Sequence, residues 1–391
     1  MQPRPRSIGD GLVIAVFLAV LVAPLVDWWF SIDKAPELVE NRKLAEGPAF
    51  PSDRASIAAF PKALEAYWND HFGFRRLLVS RNALLGYEFG LSTSPNVIVG
   101  RHDFLFYAGY NEADAIQAES PYTDAELSRW ATELDARQAW LARRGAKFLF
   151  IIVPDKQSVY PEMLPKAHGE RPLRQLVEYL AQHSRADVLD LRPLLVGAKA
   201  QGQTYWRTDS HWSDYGARVG YAGIVARMAK LLPVLPARPE SDFKPATRNP
   251  WAGDLAKMLG IKELLTEPYL ELDPRPYAAH QVTPDPYRPP GTERYAVMQS
   301  ASITAPRAVV FHDSFLLTVQ GRYPSRDDAL SPRDTGIDMV ALLAELFSRS
   351  VFTWQRDFIP ELVEREHPDI VVEECVERVV RWGPRGATPT N

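Results

Sequence analysis

The sequence predicts an α/β fold, with a largely parallel sheet flanked by helices and one apolar N-terminal helix ahead of it. Three observations carry this reading: an uncharged run over residues 11–26, near-continuous apolar segments such as residues 147–153, and helical spacing between those segments. Strands covered on both faces read as unbroken apolar runs, and their alternation with amphipathic helices signals βαβ units around a parallel sheet. With 391 residues and 46% hydrophobic content, the chain is long enough to bury one large core or two modest ones.

The elements follow in order. Arg4 and Arg6 precede the uncharged run, and Trp28, Trp29 and Phe30 follow it. A basic flank, an apolar segment and interfacial aromatics make an exported N-terminus; with the aromatics counted, the run approaches the roughly 20 residues a membrane span needs. The stretch Leu21-Val22-Ala23-Pro24-Leu25 offers no small-x-small cleavage site, which favours an uncleaved anchor over 11–30, with a cleaved signal as the alternative. The positive-inside rule then makes residues 1–10 a cytoplasmic tail and puts everything after Phe30 outside the inner membrane. Residues 31–95 read as a helical neck, polar at first and amphipathic through Leu64, Tyr67, Trp68, Phe72 and Phe74. The main domain is expected over 96–385. It opens on paired strands at 96–100 and 104–107, followed by a helix over 126–144 closed by Gly145 and a strand over 147–153 stopped by Pro154. Further strands are expected at 188–191, 308–311, 351–354 and 370–372, and a helix capped by Ser213 with Ala217, Tyr221, Ile224, Val225 and Met228 on its apolar face. The proline-rich stretch 232–290 reads as a surface excursion, helical only over 254–265.

Composition narrows the function. A net charge of −4 leaves no basic excess to neutralise a phosphate backbone, so nucleic acid is set aside as a partner. Cys375 is the only cysteine, which rules out an internal disulfide and a cysteine-rich metal cage. No cofactor or metal is called for.

The segment Arg307-Ala308-Val309-Val310-Phe311-His312-Asp313-Ser314-Phe315 places Ser314 just past the carboxyl end of a buried strand, where α/β folds build their ligand sites. A serine needs a base to take its proton and a carboxylate to orient that base. Of the eight histidines, His211 in Tyr205-Trp206-Arg207-Thr208-Asp209-Ser210-His211-Trp212 is the best candidate. In an extended loop residues two apart share a side, so Asp209 can hold one ring nitrogen of His211 and leave the other for Ser314. That arrangement suits acyl transfer. His312 is expected to line the site or to be a satisfied loop residue.

Several segments invite a family comparison: Glu40-Asn41-Arg42, Asn69-Asp70-His71-Phe72-Gly73-Phe74-Arg75, Val153-Pro154-Asp155-Lys156 with Tyr160-Pro161-Glu162, Asp209-Ser210-His211-Trp212, Gly253-Asp254-Leu255, and Pro368-Asp369-Ile370-Val371-Val372-Glu373-Glu374 with Glu377-Arg378. In these segments and their order, the chain resembles the SGNH-hydrolase-like proteins of bacterial alginate O-acetylation, from about Glu40 to about Arg378. The resemblance implies a periplasmic O-acetyltransferase that receives acetyl groups from a multipass membrane acyltransferase and places them on exopolysaccharide hydroxyls through an acetyl-serine. It matches the catalytic Asp209, His211 and Ser314. The wider superfamily has Gly-Asp-Ser at its nucleophile where this chain has His312-Asp313-Ser314, and only the Ser314 N–H offers itself as an oxyanion donor.

Stacking on sugars is an expectation for Tyr205, Trp206, Trp212 and Phe315, and contact with an acidic polymer for Lys156, Tyr160 and Arg207. Packing in the core or rim is the alternative for each. The rival functions are a polysaccharide acetylesterase of the same fold, a non-catalytic polymer-binding subunit, and a metal-dependent hydrolase using Asp209, His211 and His312.

Overall fold

The computed structural model describes residues 8–34, 43–109, 120–166, 171–274, 276–282, 295–316, 337–354 and 357–389. Glu40, Asn41 and Arg42 lie outside them. Helix α1 (Ile8–Phe30) contains the stretch Gly11–Phe30, long and apolar enough to cross a membrane, with a mean hydropathy of 2.4 and most of its side chains exposed. Its last turn is seated on the corner between α2 (Arg54–His71) and α3 (Arg75–Glu88). There the Phe74 N–H donates to Asp27 Oδ2 (2.7 Å), and a Cβ on Gly73 would come within 2.7 Å of Asp27 Cβ and 2.8 Å of the Trp28 nitrogen. Only a glycine lets the two backbones approach this closely.

Strands β1 (Val97–Val99) and β2 (Leu105–Tyr107) form an antiparallel pair. Helix α4 (Asp124–Ala142) opens on a capping box between Thr123 and Glu126 and leads into β3 (Lys147–Val153). After it come α5 (Lys156–Val159), α6 (Leu173–His183), β4 (Val188–Asp190), α7 (Arg192–Ala198) and α8 (Asp214–Met228), the last capped by Ser213 Oγ accepting from the Gly216 N–H. Then follow β5 (Lys244–Trp251), α9 (Asp254–Met258), β6 (Glu267–Asp273), β7 (Ala279–Gln281), β8 (Tyr295–Ser300), β9 (Arg307–His312), α10 (Met339–Ala344), β10 (Arg349–Trp354), α11 (Pro360–Glu366), β11 (Ile370–Val376) and α12 (Glu377–Val380).

The main sheet has seven strands in the order β4-β3-β11-β9-β10-β8-β7. The first five run parallel, and β8 and β7 extend the edge antiparallel. Successive residues of β3 show why both faces are apolar. Leu149, Ile151 and Val153 join a core with Tyr221 and Ile224 of α8, whereas Phe148, Phe150 and Ile152 pack with Trp130 and Leu134 of α4. Each such side chain contributes about 1.5–3 kcal/mol on full burial.

Three sequence readings change. The stretch 232–290 is not a bare surface excursion: β5 and β6 pair antiparallel with a register shift between Arg248 and Trp251, and β7 joins the main sheet. Pro245 and Pro250 hide β5, because proline is tolerated only at edges and irregularities of a sheet. The helix expected over 254–265 stops at Met258, and Gly260 follows with φ +75°. Strand β11 runs four residues past its expected end because Glu373 and Glu374, polar in sequence, are buried with partners: Glu373 pairs with Arg137 and Glu374 accepts the Asp313 N–H.

Candidate active site

The carboxyl ends of β3, β9 and β11 bring the expected residues together. At the end of β9, Asp313 is 3% exposed; its N–H donates to Glu374 Oε2 (2.9 Å), Oδ1 accepts from the Phe315 N–H (3.0 Å) and Oδ2 from the Val376 N–H (2.7 Å). These bonds fix the turn to β11, and the chain enters a 3₁₀ turn at Ser314–Leu316. Burial and the neighbouring Asp313 push the Glu374 carboxyl well above the usual range.

The segment bearing Asp209 and His211 closes on itself. Tyr205 and Trp212 form an isolated antiparallel bridge, the Trp206 N–H donates to the His211 carbonyl (3.3 Å), and the Ser213 N–H to the Thr204 carbonyl (3.0 Å). Asp209 Oδ1 accepts both the backbone N–H (2.9 Å) and the Nδ1–H (2.7 Å) of His211. The two side chains therefore share a side through an Asx-type turn, not through extended backbone. An ionised carboxylate only accepts, so Nδ1 carries the proton and Nε2 is left as acceptor for the Ser314 hydroxyl at 2.9 Å.

Asp209 has a second support. The Asp254 N–H, at the start of α9, donates to Asp209 Oδ2 (2.8 Å), and the Asp254 carboxylate accepts from the Ser210 N–H (2.7 Å) and Oγ (2.5 Å). A Cβ on Gly253 would lie 2.5 Å from the Thr208 carbonyl and collide with Asp209, so glycine is required at this contact.

The electrostatics follow. Burial opposes ionisation of Asp209, but the His211 hydrogen bond and charge, with the N–H groups of Asp254 and His211, outweigh it and hold Asp209 well below the ordinary range. Burial likewise opposes an imidazolium at His211; the bond and charge of Asp209 and the charge of Asp254 overcome it, and the His211 pKa lies above its ordinary value. Asp254 is raised by burial and by Asp209. The Arg378 guanidinium, bound to Asp155 Oδ1 (2.5 Å) and 5.7 Å from the Phe315 ring centroid, works against the imidazolium.

The residues expected to touch a polymer are mostly interior, which corrects that reading. Tyr160 shares a hydrogen bond with Thr204 Oγ1 (3.1 Å), Tyr205 donates to the Pro154 carbonyl, and Trp206 packs edge-on to Trp251 and Tyr269. Trp212 and Phe315 form a T-shaped pair, and the Phe315 ring lies 4.9 Å from that of His211. His312 is buried, donates from Nδ1 to the Asp313 carbonyl (2.7 Å) and faces Phe352, apart from the hydrogen-bonded trio. Lys156 is buried against backbone carbonyls, leaving Arg207, half-buried between Asp103 and Glu267, as the member of the set with a part-exposed charge. The closed turn draws these aromatics inward as its packing.

Comparison with known proteins gives the fold a family. The family described as "SGNH hydrolase-like domain, acetyltransferase AlgX" matches residues 97–292, half of the chain. The chain belongs to this family. Among relatives of this AlgX-type chain, the "Probable alginate O-acetylase AlgJ" of Pseudomonas syringae pv. tomato is 31% identical over 231 residues, covering 58% of this chain and 56% of that one. The protein of the same name from Azotobacter vinelandii is 31% identical over 216 residues, covering 52% of each. The chain thus spans about half the length of these relatives. Bacillus cereus PatB1, solved with a sulfonyl adduct, shares the fold with a TM-score of 0.50 at 13% identity, covering 72% of this chain and 93% of that one.

Four residues of this AlgX-type site escaped sequence reasoning: Asp254 as a support of Asp209, Glu267, Asp313 and Arg378. Gly253-Asp254-Leu255 and Glu377-Arg378 were visible as family segments, without a role. Glu267 gave no local signal: in β6 the buried face carries Glu267, Tyr269 and Glu271, while Leu270 on the opposite face is exposed.

Proposed function

We propose that the chain is a membrane-anchored O-acetyltransferase that esterifies hydroxyls of an exopolysaccharide, alginate or a similar polymer, through an acetyl-serine on Ser314. The observation that carries this reading is the hydrogen-bonded series Asp209–His211–Ser314, at 2.7 and 2.9 Å. Relatives named as alginate O-acetylases support the substrate class. In this reading residues 1–10 are cytoplasmic, 11–30 anchor the chain in the bacterial inner membrane, 31–95 form the neck, and 96–385 form the catalytic domain in the periplasm. A multipass membrane acyltransferase supplies the acetyl group.

In the first step Ser314 Oγ attacks the acetyl carbonyl while its proton passes to His211 Nε2. The imidazolium is stabilised by Asp209 and returns that proton to the departing donor group. Among the described residues the Ser314 N–H carries no hydrogen bond, and it serves as one oxyanion donor. In the second step a sugar hydroxyl gives its proton to His211 and takes the acetyl group, restoring Ser314.

Ser314→Ala is expected to lower acetyl-ester turnover by about 10⁴- to 10⁶-fold. Mass spectrometry with an acetyl donor should find the adduct on Ser314, and added oligosaccharide should collect it. Turnover that survives Ser314→Ala sinks the triad, and acetate release indifferent to oligosaccharide makes the chain an esterase.

A further inference from the structure

Two buried charges grip the loop that presents Asp209 and His211. On one side stands Lys156, just beyond the carboxyl end of β3 and 2% exposed. Its Nζ donates to the carbonyls of Trp206 (2.8 Å), Arg207 (3.0 Å) and Asp209 (2.6 Å). On the other side stands Glu267 of β6, also 2% exposed. It accepts from the N–H groups of Arg207 (2.9 Å) and Thr208 (2.7 Å), from Thr208 Oγ1 (2.6 Å) and from Gln203 Nε2 (3.2 Å). The loop sends carbonyls to a cation and N–H groups to an anion. Its shape therefore depends on both charges.

We propose that Lys156 is a positioning residue for the Asp209–His211 pair, and that loss of its ammonium charge sets the upper pH limit of Ser314 reactivity. The proposal rests on the triad reading above. An ammonium has three N–H donors for three carbonyls; a neutral amine has two, and its lone pair would face an oxygen. Deprotonation releases one carbonyl of the loop, and the Asp209 carbonyl is the closest of the three. Other groups around the ammonium are the carboxylates of Asp209, Glu267 and Asp254, and the rings of Phe104 and Phe106, 5.7 and 5.4 Å from Nζ. Asp155, next in the chain, is occupied by Arg378 and Arg171. Burial pulls the Lys156 pKa down to about 8, against the pull of the three carboxylates, so the proton leaves within an accessible pH range.

The test uses the full chain in detergent and reads, by mass spectrometry, the rate at which phenylmethanesulfonyl fluoride labels Ser314 between pH 5 and 10. In that reaction the Ser314 Oγ–S bond forms, the S–F bond breaks, fluoride leaves, and the serine proton passes to His211. The wild-type rate should rise as His211 deprotonates and fall near pH 8. Glu267→Gln removes a negative charge that keeps Lys156 protonated, so the alkaline fall should move to lower pH. Lys156→Met should slow labelling by about 10²-fold, the cost of a misplaced catalytic group. Lys156→Cys in a Cys375→Ser background, alkylated with 2-bromoethylamine in denaturant and refolded, restores a more acidic ammonium of the same length; it should recover the rate with its alkaline fall again at lower pH. An alkaline fall that stays put in both Glu267→Gln and the alkylated variant overturns the proposal, as does wild-type reactivity in Lys156→Met. Failure of the triad reading looks different: wild-type protein would then carry no label on Ser314 at any pH.

Discussion

Asp209 accepts three hydrogen bonds at once, from the ring and the backbone of His211 and from the backbone of Asp254. Its negative charge is what lifts the His211 pKa against burial. Only neutral imidazole takes the Ser314 proton, so activity should rise with pH through a midpoint above the ordinary histidine value. Asp209→Asn removes the charge and accepts less well. The His211 midpoint should then fall, shifting the acid limb of the pH–rate profile to lower pH while the plateau drops by about 10⁴-fold. An unshifted acid limb would show that another group titrates there. At this scale the sequence was legible where chemistry is local: Asp209 and His211 are two residues apart, and Ser314 closes a recognisable buried strand. Lys156 was picked out but misread, because a lysine in sequence gives no sign that three carbonyls will surround it. Asp254 and Glu267 act across 45 and 59 residues, on Asp209 and Thr208.

Among elements, the contact that matters most for the site is the start of α9 against the 208–209 backbone. It is made by the Gly253 N–H on Thr208 Oγ1 (2.9 Å), the Asp254 N–H on Asp209, and the N–H groups of Leu255 and Ala256 on the Thr208 carbonyl (3.1 and 3.2 Å). Gly253→Ala puts a methyl group into this contact, where the nearest atoms are backbone or sit on the first carbon of a side chain and cannot swing away. The helix start must retreat, loosening Asp209. We expect kcat to fall by about 10²-fold with KM for the acetyl donor nearly unchanged. A variant altered in KM alone would place Gly253 at the substrate instead. The helices and parallel strands could be read from periodicity, since each covers its own apolar face. The antiparallel β5–β6 pair could not: prolines interrupt β5, and the buried face of β6 carries Glu271 and Glu267, the latter bonded to Gln203, Arg207 and Thr208 far back in the chain.

At the scale of the whole molecule, burial also opposes the charge of Asp214 and Asp338. Asp214, at the start of α8, accepts the Leu272 N–H (2.9 Å), and Asp338 caps α10 by accepting the Ala341 N–H (2.9 Å). Burial pushes each to about 7. An acid whose folded pKa lies above its unfolded value favours folding most at low pH, below about 4, and that advantage is lost as pH climbs through about 7. Asp209 runs the other way. Its depressed pKa gives stability that is present above about 4 and lost only on further acidification, so the two windows do not overlap. Between pH 4 and 7 Asp214 and Asp338 therefore weaken the fold as pH rises, in the same direction as the other raised carboxyls such as Asp254 and Glu374. Asparagine at both positions keeps an oxygen for the Leu272 and Ala341 N–H groups and has no proton to lose. The melting temperature of Asp214→Asn/Asp338→Asn should accordingly change less with pH than that of the wild type over this interval. One pKa unit corresponds to about 1.4 kcal/mol, or about 2–4 °C in a domain of this size. Parallel melting curves for the two proteins from pH 4 to 7 would mean that both carboxyls ionise in the fold as they do in the unfolded chain.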